Sequence, residues 1–168
     1  LAAISRLVDA GIVVAVGHTE ATYEQTRAAI DAGATVGTHL FNAMRPIHHR
    51  EPGPIIALLE DPRVTVEIID DGVHIDAALY RHAVRSAGAD RVSLITDAMA
   101  ATGMADGPYT LGALTVEVVG GVARIAGTDT IAGSTATMDR VFRFAVEHSG
   151  LPRDEAMMQA VRQASINP

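Results

Sequence analysis

The sequence predicts a parallel α/β chain, about the second half of a (β/α)8 TIM-like barrel, carrying a β-hairpin insertion near 108–127. Three observations carry that prediction. Four apolar, β-branched runs each reach a polar residue able to do chemistry: VVAVGHT at His18, TVGTHLFNAM at His39, VTVEIIDDGVH at His74 and VSLITDAM at Asp97. Each run is followed by a stretch with helical spacing, which is the pattern of βα units, and parallel strands carry reactive groups at their C-terminal ends. Neither G-x-G-x-x-G nor G-x-x-x-x-G-K-[ST] stands at a strand-to-helix junction, so a doubly wound nucleotide fold fits less well. Four units make half a barrel, since eight strands typically take about 250 residues. Residues 1–168 are therefore expected to form one partial barrel domain within a longer chain.

The elements follow in order. ISRLVDAG is an amphipathic helix closing at Gly11, and IVVAVGHT is the first strand and its tip. EATYEQTRAAIDAG is a helix stopped by Gly33, with Thr19 as N-cap and acidic Glu20 near its start. ATVGTHLFNAM is the second strand, followed by the Pro/Gly-punctuated loop RPIHHREPG and the short helix PIIALLEDP. RVTVEIIDDGVH is the third strand, DAALYRHAVRSAG its helix and DRVSLITDAM the fourth strand. After Met99 the period changes to alternation, and Gly120-Gly121 suits a tight hairpin turn. STATMDRVFRFAVEHSG returns to helix with Ser134 as its cap, and Pro152 suits the first turn of a last helix.

Composition narrows the function classes. With 48% apolar and 20% charged residues the chain can bury a core, and a net charge of -7 argues against a nucleic-acid surface. No apolar stretch is long enough for a membrane helix and no basic leader opens the sequence, so a soluble, cytoplasmic protein is expected. Zero cysteines leave His, Asp and Glu as the metal ligands available.

His18 and His39, at matching tips with small neighbours Gly17 and Thr38 that leave room for an ion, are the candidate metal ligands; the alternative is a backbone-bonded histidine at each place. Two imidazoles leave the set incomplete, since catalytic zinc usually takes three protein ligands and a water. Asp97 ends an apolar strand, where a carboxylate is either a general base or the N-cap of a short helix at Ala98. His74 follows the turn-forming Asp71-Gly72 and either donates to a substrate oxygen or caps the next helix. His82 and His148 read as surface residues. Arg45, His48, His49 and Arg50 concentrate positive charge in one loop of an acidic chain, a receptor for a phosphate or a solvated loop, and Asn42 and Ala43 offer donors to the same anion.

Taken in order, GHT at 17–19, THLFNAM at 38–44, HHREPG at 48–53, DGVH at 71–74, TDAM at 96–99 and IAGS at 131–134 resemble the N-acetylglucosamine-6-phosphate deacetylases of the amidohydrolase superfamily. The resemblance spans nearly the whole sequence. It implies a metal-dependent hydrolase that removes the acetyl group of a phosphorylated amino sugar, using one or two divalent metal ions, zinc or iron. It assigns His18 and His39 to the metal, Asp97 to the base, and Asn42, Ala43 and Arg50 to the substrate, including its phosphate. His74 matches the histidine beside the scissile amide, and Ile131, Ala132 and Gly133 match the loop along the sugar. A homodimer is implied as well. The family's glutamate ligand, from an H-L-E-G-P-type motif, has no counterpart in residues 1–168. Two other readings stay open: an amidohydrolase for a different amide, and a truncated module that binds metal or sugar phosphate without turnover.

Overall fold

The computed structural model describes residues 1–168. Four short parallel strands, β1 (Ala15–Val16), β2 (Val36–Gly37), β3 (Thr65–Ile68) and β4 (Val92–Leu94), lie side by side in chain order. The helices α1 (Ala2–Asp9), α2 (Tyr23–Asp31), α3 (Gly53–Glu60) and α4 (Ala77–Ala87) alternate with them, as the four βα units predicted. Register is set by Ala15 opposite Val36, Val36 opposite Thr65 and Val66 opposite Val92. Alternation along β3 splits the sheet into two faces: Val66 and Ile68 are buried among the helices, whereas Thr65 and Glu67 turn to the inner face, where Ser93 also lies. The main core joins Leu40, Leu58, Ile68, Tyr80, Leu94 and Val141, so the sheet is packed on its helical side.

Below the sheet, at the end away from the strand tips, polar groups anchor the turns. Asp61, buried before β3, receives the Arg63 guanidinium at 2.9 and 2.7 Å and that of Arg27 at 2.8 Å, which hold its carboxyl well below the usual range. Arg91 donates to the carbonyls of Leu59, Asp61 and Val64 and fixes the end of α3 against β4.

Four details differ from the sequence reading. The cap of α2 is Thr22, not Thr19: Thr22 accepts from Gln25 N–H while Gln25 reaches back to Thr22 N–H, a complete capping box. Thr19 is held instead by the second strand tip, its N–H donating to Ala43 and its carbonyl accepting from Arg45. The expected hairpin is a three-stranded meander, β5 (Gly107–Leu111), β6 (Leu114–Val119) and β7 (Val122–Ile125), because Gly112 makes a second tight turn ahead of the one at Gly120-Gly121. The cap of α5 (Met138–His148) is Thr137; Ser134 lies before it with a different task. The last helix, α6 (Arg153–Ser165), starts after Pro152, which occupies the N-cap and not the first turn. Val116, Val118, Ala123 and Met99 form a second, small core under the meander.

Candidate active site at the strand tips

Beyond each strand end the chain turns into a loop that carries one of the residues singled out by the sequence. His18, His39 and Asp97 carry positive φ, at 42°, 31° and 49°, and the neighbouring Phe41 and Ala43 do the same at 78° and 50°. Such backbone is sparsely populated by residues other than glycine, and it aims side chains outward that a continuing strand would send elsewhere. The tips are cross-tied: Thr38 N–H donates to Val16, Leu40 N–H to Glu67 and Ile95 N–H to Ile68, at 2.8 to 3.0 Å.

His18, His39, Asn42, Ala43, His74 and Asp97 border one cavity of about 380 Å³. The imidazoles of His18 and His39 stand edge to face with centroids 4.6 Å apart. His39 is buried, and its Nδ1 has no hydrogen-bond partner. An orphaned ring nitrogen beside a second imidazole suits a metal ligand pair, and neither histidine is bonded to a backbone carbonyl. No cluster of three or more His, Asp or Glu side chains forms here, so the pair is an incomplete ligand set. The room beside His18 is not spare space for an ion, as Gly17 and Thr38 had suggested. A Cβ on Gly17 would overlap the Thr38 methyl, so the glycine lets two strands close, and Thr38 Oγ1 donates to Glu67 at 2.5 Å.

Asp97 is exposed at the cavity, and no helix starts at Ala98, which pairs with Ser134 as a parallel bridge. Ser134 N–H donates to the Asp97 carbonyl at 2.8 Å, and Met99 N–H to that of Ser134 at 2.9 Å. The side chain of Asn42 spends its amide hydrogens locally, on the carbonyls of His39 and Leu40 at 3.3 Å.

His74 caps nothing; the helix cap is Asp76, which accepts from Ala78 N–H. The His74 ring is buried against Asp71, whose Oδ2 lies 2.9 Å from Nδ1, while Asp71 Oδ1 accepts the backbone N–H groups of Val73 and His74, both at 2.9 Å. Burial raises the Asp71 carboxyl, but the hydrogen bonds from His74 and Val73 outweigh it and hold it at about 2. Its neighbour Asp70 is fully buried with both oxygens unpartnered, and burial together with the Asp71 charge pushes it up to about 7.

Not every expected residue arrives. Arg50 borders a separate cavity of about 360 Å³ with Tyr23 and Glu24, donates to His49 Nε2 at 2.6 Å and is exposed; Arg45 there pairs with Glu51 at 3.0 Å. Ala132, placed by resemblance along the sugar, is turned into the small core, and its N–H pairs with Ala123. Ile131 and Gly133 do line the cavity, and Asp129, Thr130 and Ile69, which the sequence did not single out, join them. Sequence reasoning gives Asp71 only a place in a turn; the D-x-x-H spacing is the signal that marks it as the histidine's partner.

The amidohydrolase family model matches residues 1–168. The chain is 42% identical over 143 residues to an N-acetylglucosamine-6-phosphate deacetylase of Lysinibacillus sphaericus, covering 85% of the chain and 37% of that protein. It is 44% identical over 168 residues to an N-acetylgalactosamine-6-phosphate deacetylase of Escherichia coli, covering 100% of the chain and 43% of that protein. Among solved structures it is similar to a mutant N-acetyl-D-glucosamine-6-phosphate deacetylase of Mycobacterium smegmatis in complex with N-acetyl-D-glucosamine-6-phosphate. The identity there is 72% and the TM-score 0.99, over 99% of the chain and 44% of that one. The N-acetylglucosamine-6-phosphate deacetylase of Thermotoga maritima matches at TM-score 0.90 and 32% identity over 99% of the chain and 44% of that one. The chain thus spans about two-fifths of the length of the relatives it matches.

Proposed function

This chain belongs to the amidohydrolase family, and on that premise we propose that it is the last four βα units of the catalytic barrel of an N-acetylglucosamine-6-phosphate deacetylase. The reading rests above all on one observation: His18, His39, His74 and Asp97, each at the tip of a different strand, border a single cavity. His18 and His39 would hold a divalent metal, zinc or iron, completed by a ligand from outside residues 1–168. When bound, such an ion supplies Lewis acidity toward the acetyl carbonyl and makes a water acidic enough to ionise near neutral pH.

The chain's own residues do the rest. Asp97, exposed at the cavity, takes the proton of the attacking water and returns it to the amine as the C–N bond breaks, leaving acetate and glucosamine 6-phosphate. His74 contacts the substrate beside the scissile amide. Asn42, Ala43, Ile131 and Gly133 line the sugar. Arg50, on the basic loop, receives the phosphate; it borders a neighbouring cavity, so this contact needs a change in the loop or a second subunit, in keeping with the homodimer implied by resemblance. The relative that acts on the galactosamine sugar, at 44% identity over the whole chain, supports a second substrate reading, its 4-epimer.

The test is acetate release by the full-length protein from N-acetylglucosamine 6-phosphate, its 4-epimer and unphosphorylated N-acetylglucosamine. Metal-dependent turnover of a phosphorylated sugar is expected, with Asp97→Asn lowering kcat about 10²–10⁴-fold and Arg50→Ala raising KM only for the phosphorylated substrates. Metal binding without acetate release from any of the three would defeat the proposal.

A further inference from the structure

Asp71 does not itself border the cavity, yet it is bonded to His74, which does, and it is the best-satisfied carboxylate near the site. Four donors converge on it: Val73 N–H and His74 N–H on Oδ1, and His74 Nδ1 and the Ser134 hydroxyl on Oδ2, the last at 3.3 Å. The side chains of Asp71 and His74 are 4% and 6% exposed, so water does not compete for the pair. Ser134 belongs at once to the other half of the site, through its backbone bonds to Asp97 and Met99, and its Oγ also accepts from Ala136 N–H at 2.9 Å.

A carboxylate can only accept, so the ring nitrogen facing it must carry a proton. We propose that Asp71 is a positioning residue which, braced by Ser134, holds His74 as the Nδ1–H tautomer, so that Nε2 meets the substrate as a hydrogen-bond acceptor from a sugar O–H or the amide N–H. A neutral His74 held in this way cannot donate to the acetyl oxygen, the role its position in the sequence had suggested. Instead it selects a substrate that presents a donor at that place. The substrate half of the statement rests on the deacetylase reading; the tautomer does not.

The isosteric change Asp71→Asn is diagnostic because the two backbone N–H groups on Oδ1 dictate its orientation. The asparagine oxygen must take that side, which turns its NH₂ toward Nδ1 and the Ser134 hydroxyl. Nδ1 then has to accept, and the proton moves to Nε2. Serine proteases lose about 10⁴-fold in kcat when the equivalent aspartate is changed in the same way and the wrong tautomer results. ¹⁵N spectra of histidine-labelled full-length protein at pH 8, with His74 assigned by its absence in His74→Gln, read the tautomer directly. We expect Nδ1 protonated and Nε2 bare in the native protein, the reverse in Asp71→Asn, and a loss of 10²–10⁴-fold in kcat/KM there at unchanged metal content. Adding Asp71→Asn to His74→Gln should cost no further activity. A protonated Nε2 in the native protein overturns the proposal, as does a tautomer indifferent to Asp71→Asn. If the tautomer behaves as expected but no acetylated sugar is turned over, the positioning stands and the deacetylase reading falls.

Discussion

Each non-glycine residue at positive φ costs of order 1–3 kcal/mol, and all five in this chain, His18, His39, Phe41, Ala43 and Asp97, fall at or just after a strand tip. The strain is tolerated because neighbouring tips hydrogen-bond to one another. Asp70 shows a different cost. It does not border the cavity, and its charge acts on Tyr80, whose hydroxyl burial pushes up to about 12 and which is engaged by Gln159 and Gln163. With an unfolded value near 3.9 and a folded value of about 7, the folded chain keeps a proton that the unfolded chain releases. This group therefore has no effect on stability below pH ~4, and its unfavourable contribution grows as pH rises, completing above pH 7 at about 4 kcal/mol. Asp71 works in the opposite sense and lower, its contribution being lost as pH falls from about 4 through 2. In the full-length protein, Asp70→Asn should flatten the fall in unfolding free energy between pH 5 and 8, measured by denaturant titration at each pH. An unchanged slope would show that Asp70 is already ionised in the fold. The residue types at the site were legible because an imidazole or carboxylate at the end of an apolar run is conspicuous. The backbone conformation that aims them was not, since nothing in His39 or Asp97 announces a positive φ.

At the scale of elements, βα alternation was legible because period-2 and period-3.6 patterns exchange cleanly at Gly11, Gly33 and Gly88. Boundaries were less so. Thr19-Glu20 and Thr22-Tyr23-Glu24-Gln25 both look like helix starts; only the capture of Thr19 by Ala43 and Arg45 decides between them, and that is a contact between strands. Thr22→Ala should therefore cost about 1 kcal/mol of stability, whereas Thr19→Ala leaves the cap intact; equal losses in denaturant melts would contradict the assignment. The meander escaped for a related reason. Gly120-Gly121 announced its turn as a pair, but the turn at Leu111-Gly112-Ala113-Leu114 rests on one glycine with φ of 58°, in a run that otherwise reads as a single strand. Ser134 looked like a cap because it precedes a helix, and its hydroxyl instead serves Asp71, 63 positions earlier. Local pattern carries no information about such a partner.

The whole molecule is a sheet with two free edges. β1 and β4 each pair on one side only, and the inner face opens on a cavity of about 690 Å³ bordered by Val36, Thr65, Glu67, Ser93, Leu94 and Ile95. A closed (β/α)8 barrel has neither feature: its interior is filled by layers of side chains and its strands have no edges. Alongside the sheet, α1 buries none of its residues, and Leu7, Val8, Ile12 and Val13 are exposed at its end and in the segment leading to β1. Unpaired strand edges flanked by exposed apolar side chains recruit other strands, so residues 1–168 produced alone should associate at micromolar concentration. They should also show no turnover of N-acetylglucosamine 6-phosphate, because two histidines do not complete the ligand set. Light scattering coupled to gel filtration, calorimetry and an acetate assay test this together. A monomer with a single cooperative transition would mean that the packed helical side stabilises the sheet without closure, and turnover by that monomer would mean that His18, His39 and Asp97 suffice for catalysis.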